Sequence, residues 1–177
     1  MKRAWLAILM AGCSTSTPAA PRTSETAPVL AVLPVGELGP LLVSELSKTG
    51  RWRASLADEG RKPKADAILA VRVVEFDPYD PPRLSLSVRM QRGSGSGAGD
   101  LDRLTQSGAW TRPARGNEGP GFDLVLDSRD QTTREALRSF LRTQEGPFVG
   151  EAEVLAVSSS YLRFAAHEVA ARVAHER

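Results

Sequence analysis

The chain has one cysteine, two histidines and no apolar run long enough to cross a bilayer. Each shortage excludes something. A lone cysteine forms no internal disulfide. Two histidines and one cysteine are too few soft ligands for a transition-metal centre, so neither a metal nor a cofactor is expected. A spanning helix takes about 20 apolar residues, and the longest run here is far shorter. Aromatic residues are only 6% of the chain, so any core rests on aliphatic side chains. Neither a P-loop nor a GxSxG nucleophile elbow occurs.

What is present begins with the first thirteen residues. Lys2 and Arg3 precede an apolar stretch, Ala4 to Met10, of signal-peptide length. Met10, Ala11 and Gly12 then lead into Cys13, a lipobox-like cleavage motif that accounts for the single cysteine. Residues 1–12 are therefore predicted to be a lipoprotein signal peptide, and Cys13 the acylated first residue of the mature chain. Ser14 follows, and by resemblance to Gram-negative lipoproteins a serine there implies sorting to the outer membrane, with the domain on the periplasmic face. Without Lys2 and Arg3 the chain has 21 basic and 21 acidic residues. A near-neutral protein has no charge surplus for displacing counterions from nucleic acid, so no nucleic-acid partner is expected. Residues 14–27 are rich in Ser, Thr, Pro and Ala and form a tether. Their flexible-coil reach is roughly 20 Å.

Residues 28–177 carry the patterns of one globular domain. Pro28 to Pro34 (PVLAVLP) reads as a buried strand. A helix follows, with Pro40 in its first turn, Leu42 and Leu46 on one face, and Gly50 as its stop. Arg51 to Leu56 is a second strand, giving a β-α-β opening. Ala67 to Phe76 and Leu84 to Met90 are the strongest strands and are predicted to pair as a long antiparallel hairpin. In the second, Leu84, Leu86, Val88 and Met90 alternate with Ser85, Ser87 and Arg89, so the polar set should be wet. Ala109 to Arg112 and Phe122 to Leu126 are further short strands. Asp127 or Ser128 should cap the next helix, with Ser128 and Gln131 at capping-box spacing. Residues 145–157 read as loop with some strand character. Ser158 or Ser159 should cap the last helix, striped by Leu162, Ala165, Ala166, Val169 and Val173. The sum is an α/β layered domain, or α+β in the looser reading, with a mixed sheet and about three helices.

Candidate chemistry is thin. His167-Glu168 opens like a zinc-binding HExxH, but Ala171 stands where the second ligand belongs, so His167 and His175 are expected as solvent-facing helix residues. Gly93 to Ala98 fits a GxGxxA pattern without the following helix that would hold a pyrophosphate. Asp77, Asp80, Asp123, Asp127 and Asp130 suit turns and caps better than a catalytic pair. No catalytic residue is assigned. Arg134, Arg138 and Arg142 recur at helical spacing and are candidate contacts to an acidic partner, although 19 Arg against 4 Lys makes some such row expected. The loop Asp77, Pro78, Tyr79, Asp80 is a second candidate contact surface. Tyr79 either docks a partner or folds back on the hairpin. Tyr161 and Phe164 lie off the main stripe and are either exposed contact residues or, as the preferred reading, covered by the 145–157 segment.

The segments VLAVLP, ADAILAVRVVEFDPYDPPRLSLSV and SSSYLRFAAHEVA resemble a group of bacterial lipoproteins of poorly characterised function. Their domain is similar to the periplasmic α/β domain of the curli-secretion and penicillin-binding-protein activator lipoproteins (CsgG/LpoB-like). The likeness implies a non-enzymatic module that binds another envelope protein or a further copy of itself as a homo-oligomer. The chain has no amphipathic pore-forming hairpins and too short a tether to cross the periplasm, so only the domain type carries over. The alternative is a small envelope hydrolase or carbohydrate-binding enzyme, which would need paired carboxylates across a cleft.

The anchor reading has a direct test. Cys13→Ala should either release the protein from outer-membrane lipid or leave an uncleaved precursor, as read by fractionation and mass spectrometry. Normal processing with unchanged membrane retention would sink it.

Overall fold

The computed structural model describes residues 27–58, 64–79, 81–92, 118–144 and 150–175. The element order is β1 (Val29–Val32), α1 (Leu38–Lys48), β2 (Arg53–Leu56), β3 (Ala67–Asp77), β4 (Arg83–Arg92), β5 (Glu118–Asp127), α2 (Gln131–Thr143), α3 (Glu151–Ala156) and α4 (Ser158–His175). The strands form one mixed sheet in the order β2-β1-β3-β4-β5. β1 runs parallel to β2 and β3, while β3, β4 and β5 are successively antiparallel. This is the predicted α/β fold with its β-α-β opening and long hairpin. The expectations for Met10 to Cys13, for Asp80, for the Gly93–Ala98 pattern and for Ala109–Arg112 lie outside the described residues.

Strand position explains the burial pattern. β1 lies between β2 and β3, and Leu30, Ala31 and Val32 are all buried. β3 is buried from Ala67 to Val71, then exposed from Arg72 to Glu75. The change comes just past the end of its ladder with β1, whose last paired residue is Leu69. Beyond Leu69, among the described residues, its ladder continues with β4 alone. Side chains alternate between sheet faces. Leu30, Val32, Leu69, Val71, Leu84, Leu86, Val88, Met90, Leu124 and Leu126 join the four helices in one core. Ala31, Ile68 and Ala70, on the other face, form a small second cluster with Ala57.

α1 ends as its sequence predicts. Gly50 has φ 68°, a left-handed conformation that costs an L side chain roughly 1 kcal/mol or more, and its N–H donates to Ser47 at 3.1 Å. α2 does not start as predicted. Its cap is Asp130, whose carboxylate accepts from the Thr133 N–H at 3.2 Å. Asp127 instead accepts from the Arg129 N–H, and Ser128 is buried with its own N–H bonded to the Pro82 carbonyl. The Ser128–Gln131 box does not form, because Asp130 stands three residues before Thr133 with the extended backbone a cap requires.

Four further expectations are corrected. The described part of the 145–157 segment is a helix, α3, which makes four helices among the described residues instead of about three. Its Gly150 start and acidic first turn suit a short helix, and Val154 is buried beneath it. Neither Ser158 nor Ser159 caps α4. Val157 occupies that position, with its carbonyl accepting from the Ser160 and Tyr161 N–H groups. β5 begins at Glu118, four residues before Phe122. A strand at the end of the described sheet tolerates Pro120, which lacks an N–H, and Gly121 leaves room for the Arg89 side chain, which a Cβ there would strike. The polar face of β4 is also drier than its alternation implies. Ser87 is 5% exposed and donates to Asp123 Oδ1 at 2.6 Å.

α4 closes the core. Leu162, Ala165, Ala166, Val169 and Val173 are buried as predicted, and so are Tyr161, Phe164 and Ala170. Tyr161 donates its hydroxyl to the Leu126 carbonyl at 3.0 Å, which ties the helix to the end of β5. Burial pushes this phenol above its ordinary pKa. Phe164 meets Phe140 of α2 at 5.7 Å and Tyr161 at 5.9 Å between ring centroids. These two aromatics therefore lie in the central core, in one cluster with Val154 of α3. Val169→Asp places an unpaired carboxylate at a fully buried site and should cost about 3 kcal/mol or more in urea unfolding. A loss below about 0.5 kcal/mol, the scale of surface changes, would contradict this packing.

Candidate functional site

On α1, Leu42, Glu45 and Leu46 share the buried face, so a carboxylate is carried into an apolar seam. Glu45 is 4% exposed. A buried charge is costly unless it is paired and hydrogen-bonded, and three groups supply the pairing. Lys48, one turn on, places Nζ 2.5 Å from Oε1. His167 of α4 places Nδ1 3.3 Å from Oε2, and Arg163, one turn earlier on the same helix, places Nε 3.7 Å from Oε1. Burial pushes the Glu45 carboxyl up, but the hydrogen bonds from His167 and Lys48 and their charges outweigh it and hold the group at about 2. His167 is thus not the solvent-facing residue expected. It is 33% exposed, bonded to Glu45, and its ring packs against Phe140 at 5.0 Å. His175 is exposed as predicted.

This cluster forms one wall of an open cleft of about 660 Å³ between α1, the end of α2 and α4. Thr49 and Thr143 line it, each at a helix end. Both hydroxyls donate backwards, to the Leu46 carbonyl at 2.6 Å and the Phe140 carbonyl at 2.7 Å, which satisfies last-turn acceptors. Ala170, Ala171 and Ala174 give it a smooth apolar side. Among the described residues, no group of three His, Cys, Asp or Glu could hold a metal ion.

The residues singled out from sequence fall elsewhere. Arg134 and Arg138 both grip Glu151 of α3, at 2.8 and 3.0 Å. Their hydrogen bonds hold the Glu151 carboxyl below its ordinary value. The row thus acts within the chain, clamping α3 to α2, while Arg142 stands exposed in the last turn of α2. Asp77, Pro78 and Tyr79 lie at the hairpin tip, where Asp77 accepts from the Tyr79 N–H at 3.1 Å and the Tyr79 ring is 80% exposed. Tyr79 does not fold back on the core. The described aspartates take local roles: Asp77 and Asp127 in turns, Asp130 at a cap and Asp123 on Ser87. Sequence reading missed Glu45. The signal was an acidic residue one place before Leu46 on an otherwise apolar helix face.

No protein-family model, curated protein or solved structure matches this chain.

The Glu45 cluster predicts a pH dependence. Its folded pKa of about 2 lies below the ordinary 4.5, so its stabilisation is complete above pH 4.5 and is lost as the pH falls towards 2. Glu45→Gln should cost about 1–3 kcal/mol at pH 7. The gap to the unmodified chain in urea melts should then narrow between pH 4.5 and 2. A gap constant across that window would show that Glu45 is not ionised in the fold.

Proposed function

We propose that this chain is an outer-membrane lipoprotein, anchored through Cys13 and facing the periplasm, whose folded domain is a non-enzymatic binding module for an envelope protein. The observation that carries the binding part is the outer end of the β3–β4 hairpin. Tyr79 is 80% exposed, Val74 62% and Val125 55%. Val125 pairs with Ser85, next to the hairpin end where Asp77 pairs with Arg83. An exposed ion pair, Arg83 with Glu75 at 3.7 Å, borders these apolar groups. Apolar anchors inside a polar rim are the composition of a protein-binding patch. The tip is also stiff, because Pro78, Pro81 and Pro82 restrict its backbone and less entropy is lost on docking. The likeness to curli-secretion and activator lipoproteins supports the same reading. A hydrolase reading would rest on Glu45 and His167, but a carboxylate held at about 2 and shared among Lys48, Arg163 and His167 acts as a counter-ion and is a poor proton acceptor.

Photo-crosslinking in the intact envelope tests this. A crosslinker replacing Tyr79 should give one discrete protein adduct, and one replacing exposed Thr132 on α2 should not. Tyr79→Ala should leave the melting temperature within about two degrees while abolishing competition for that adduct. No adduct at 79, or the same adducts at both positions, would remove the hairpin tip as the docking element.

A further inference from the structure

We propose that the cleft between α1, α2 and α4 is a phosphate-binding site. The charged groups on its wall are arranged for an anion. Among the described residues the one acid that lines it, Glu45, is buried, whereas Lys48 and Arg163 are half-exposed, at 50% and 49%. Both contact the same oxygen, Oε1 of Glu45, at 2.5 and 3.7 Å, which keeps the ammonium and the Arg163 Nε within about 6 Å of each other. A tetrahedral oxyanion accepting from both at about 2.8 Å spans such a gap. Lys48 spends one of its three donors on Glu45, and the Arg163 contact is too long for a hydrogen bond, so the guanidinium fork keeps its donors for a ligand. Glu45 is thus a positioning residue that holds two cations side by side against their mutual repulsion.

The helix ends do not reverse this preference. α1 and α2 both end at the cleft, and bare C-terminal carbonyls would favour a cation. Here the Leu46 carbonyl accepts from the Thr49 hydroxyl and N–H, and the Phe140 carbonyl accepts from the Thr143 hydroxyl. Among the described residues, that leaves the exposed charge of the wall positive. The alanine side would accommodate the apolar or sugar-like body of a phosphate ester. At about 660 Å³ the cleft is large enough for such a ligand. The phosphate could belong to a soluble ester or to a lipid headgroup. The site is separate from the hairpin tip and rests on neither the docking nor the anchor reading, so either can fail alone.

The test is calorimetric titration of the full chain in neutral detergent, with inorganic phosphate in one arm and short-chain phosphatidic acid in the other. Saturable binding in at least one arm is expected. Arg163→Gln and Lys48→Gln should each weaken it about tenfold or more, while Arg129→Gln, at an exposed arginine outside the cleft, should not. Thermal melts of each variant establish that it is folded. If only phosphatidic acid binds, the ligand is a lipid headgroup. If inorganic phosphate binds, it is a soluble phosphate. No saturable binding in either arm overturns the proposal. So does binding that survives both cleft substitutions in folded variants, or that Arg129→Gln weakens equally.

Discussion

The docking of α4 onto the sheet is the constraint on which the other packing depends. The sheet has one broadly apolar face, and the same cluster that holds Leu84, Leu86, Val88 and Met90 holds Phe164, Ala165, Ala166 and Val169. α4 is the last of the described elements, and this core is incomplete without it. Its alanines matter as much as its larger side chains, since small residues let a helix approach a neighbouring surface closely. The Tyr161 hydroxyl on the Leu126 carbonyl then sets how far along the sheet the helix sits.

That docking creates the Glu45 cluster. Once α4 lies beside α1, the carboxylate is cut off from water, and Arg163 and His167 reach it from the second helix. A buried ion pair is weak evidence for stability, because desolvation offsets much of the attraction. Its stronger consequence is geometric. Three cationic or potentially cationic groups from two helices are gathered on one wall of a cleft, and one acid determines where they stand. The Arg134–Glu151–Arg138 clamp does comparable work at the surface, where solvent weakens each pair and the gain is the placement of α3.

The hairpin is built on the opposite logic. Its β4 strand is buried against the helices as far as Leu84, while on β3 the stretch beyond the ladder with β1 leaves Val73 and Val74 exposed, and Tyr79 stands exposed at the tip. A rigid base with an exposed aromatic tip is what a docking element needs, and the charge-bearing cleft lies on the helical layer. The molecule therefore offers two surfaces of different chemistry, one apolar with a polar rim and one cationic.

Periodicity made much of this legible in advance. The Leu84–Met90 alternation, the Leu42/Leu46 pair and the Val169 stripe each identified a buried face, because burial repeats with the geometry of a strand or helix. Gly50 was readable as a stop because only glycine takes φ 68° freely. The α2 cap was misplaced because Asp127, Ser128 and Asp130 are chemically equivalent candidates, and only the chain's path after β5 selects among them. The roles of Arg134 and Arg138 were open for a similar reason. A charged row has the same sequence whether it faces solvent, a partner or Glu151 on the next helix. Glu45 and His167 are 122 residues apart, and nothing local in either segment pairs them. Local patterns determined which elements form and which faces they bury, since those follow from backbone geometry and hydrophobicity over a few residues. Only the tertiary structure decided which charges meet, because electrostatic partners are chosen by distance in space and by exclusion of water, and neither is written along the chain.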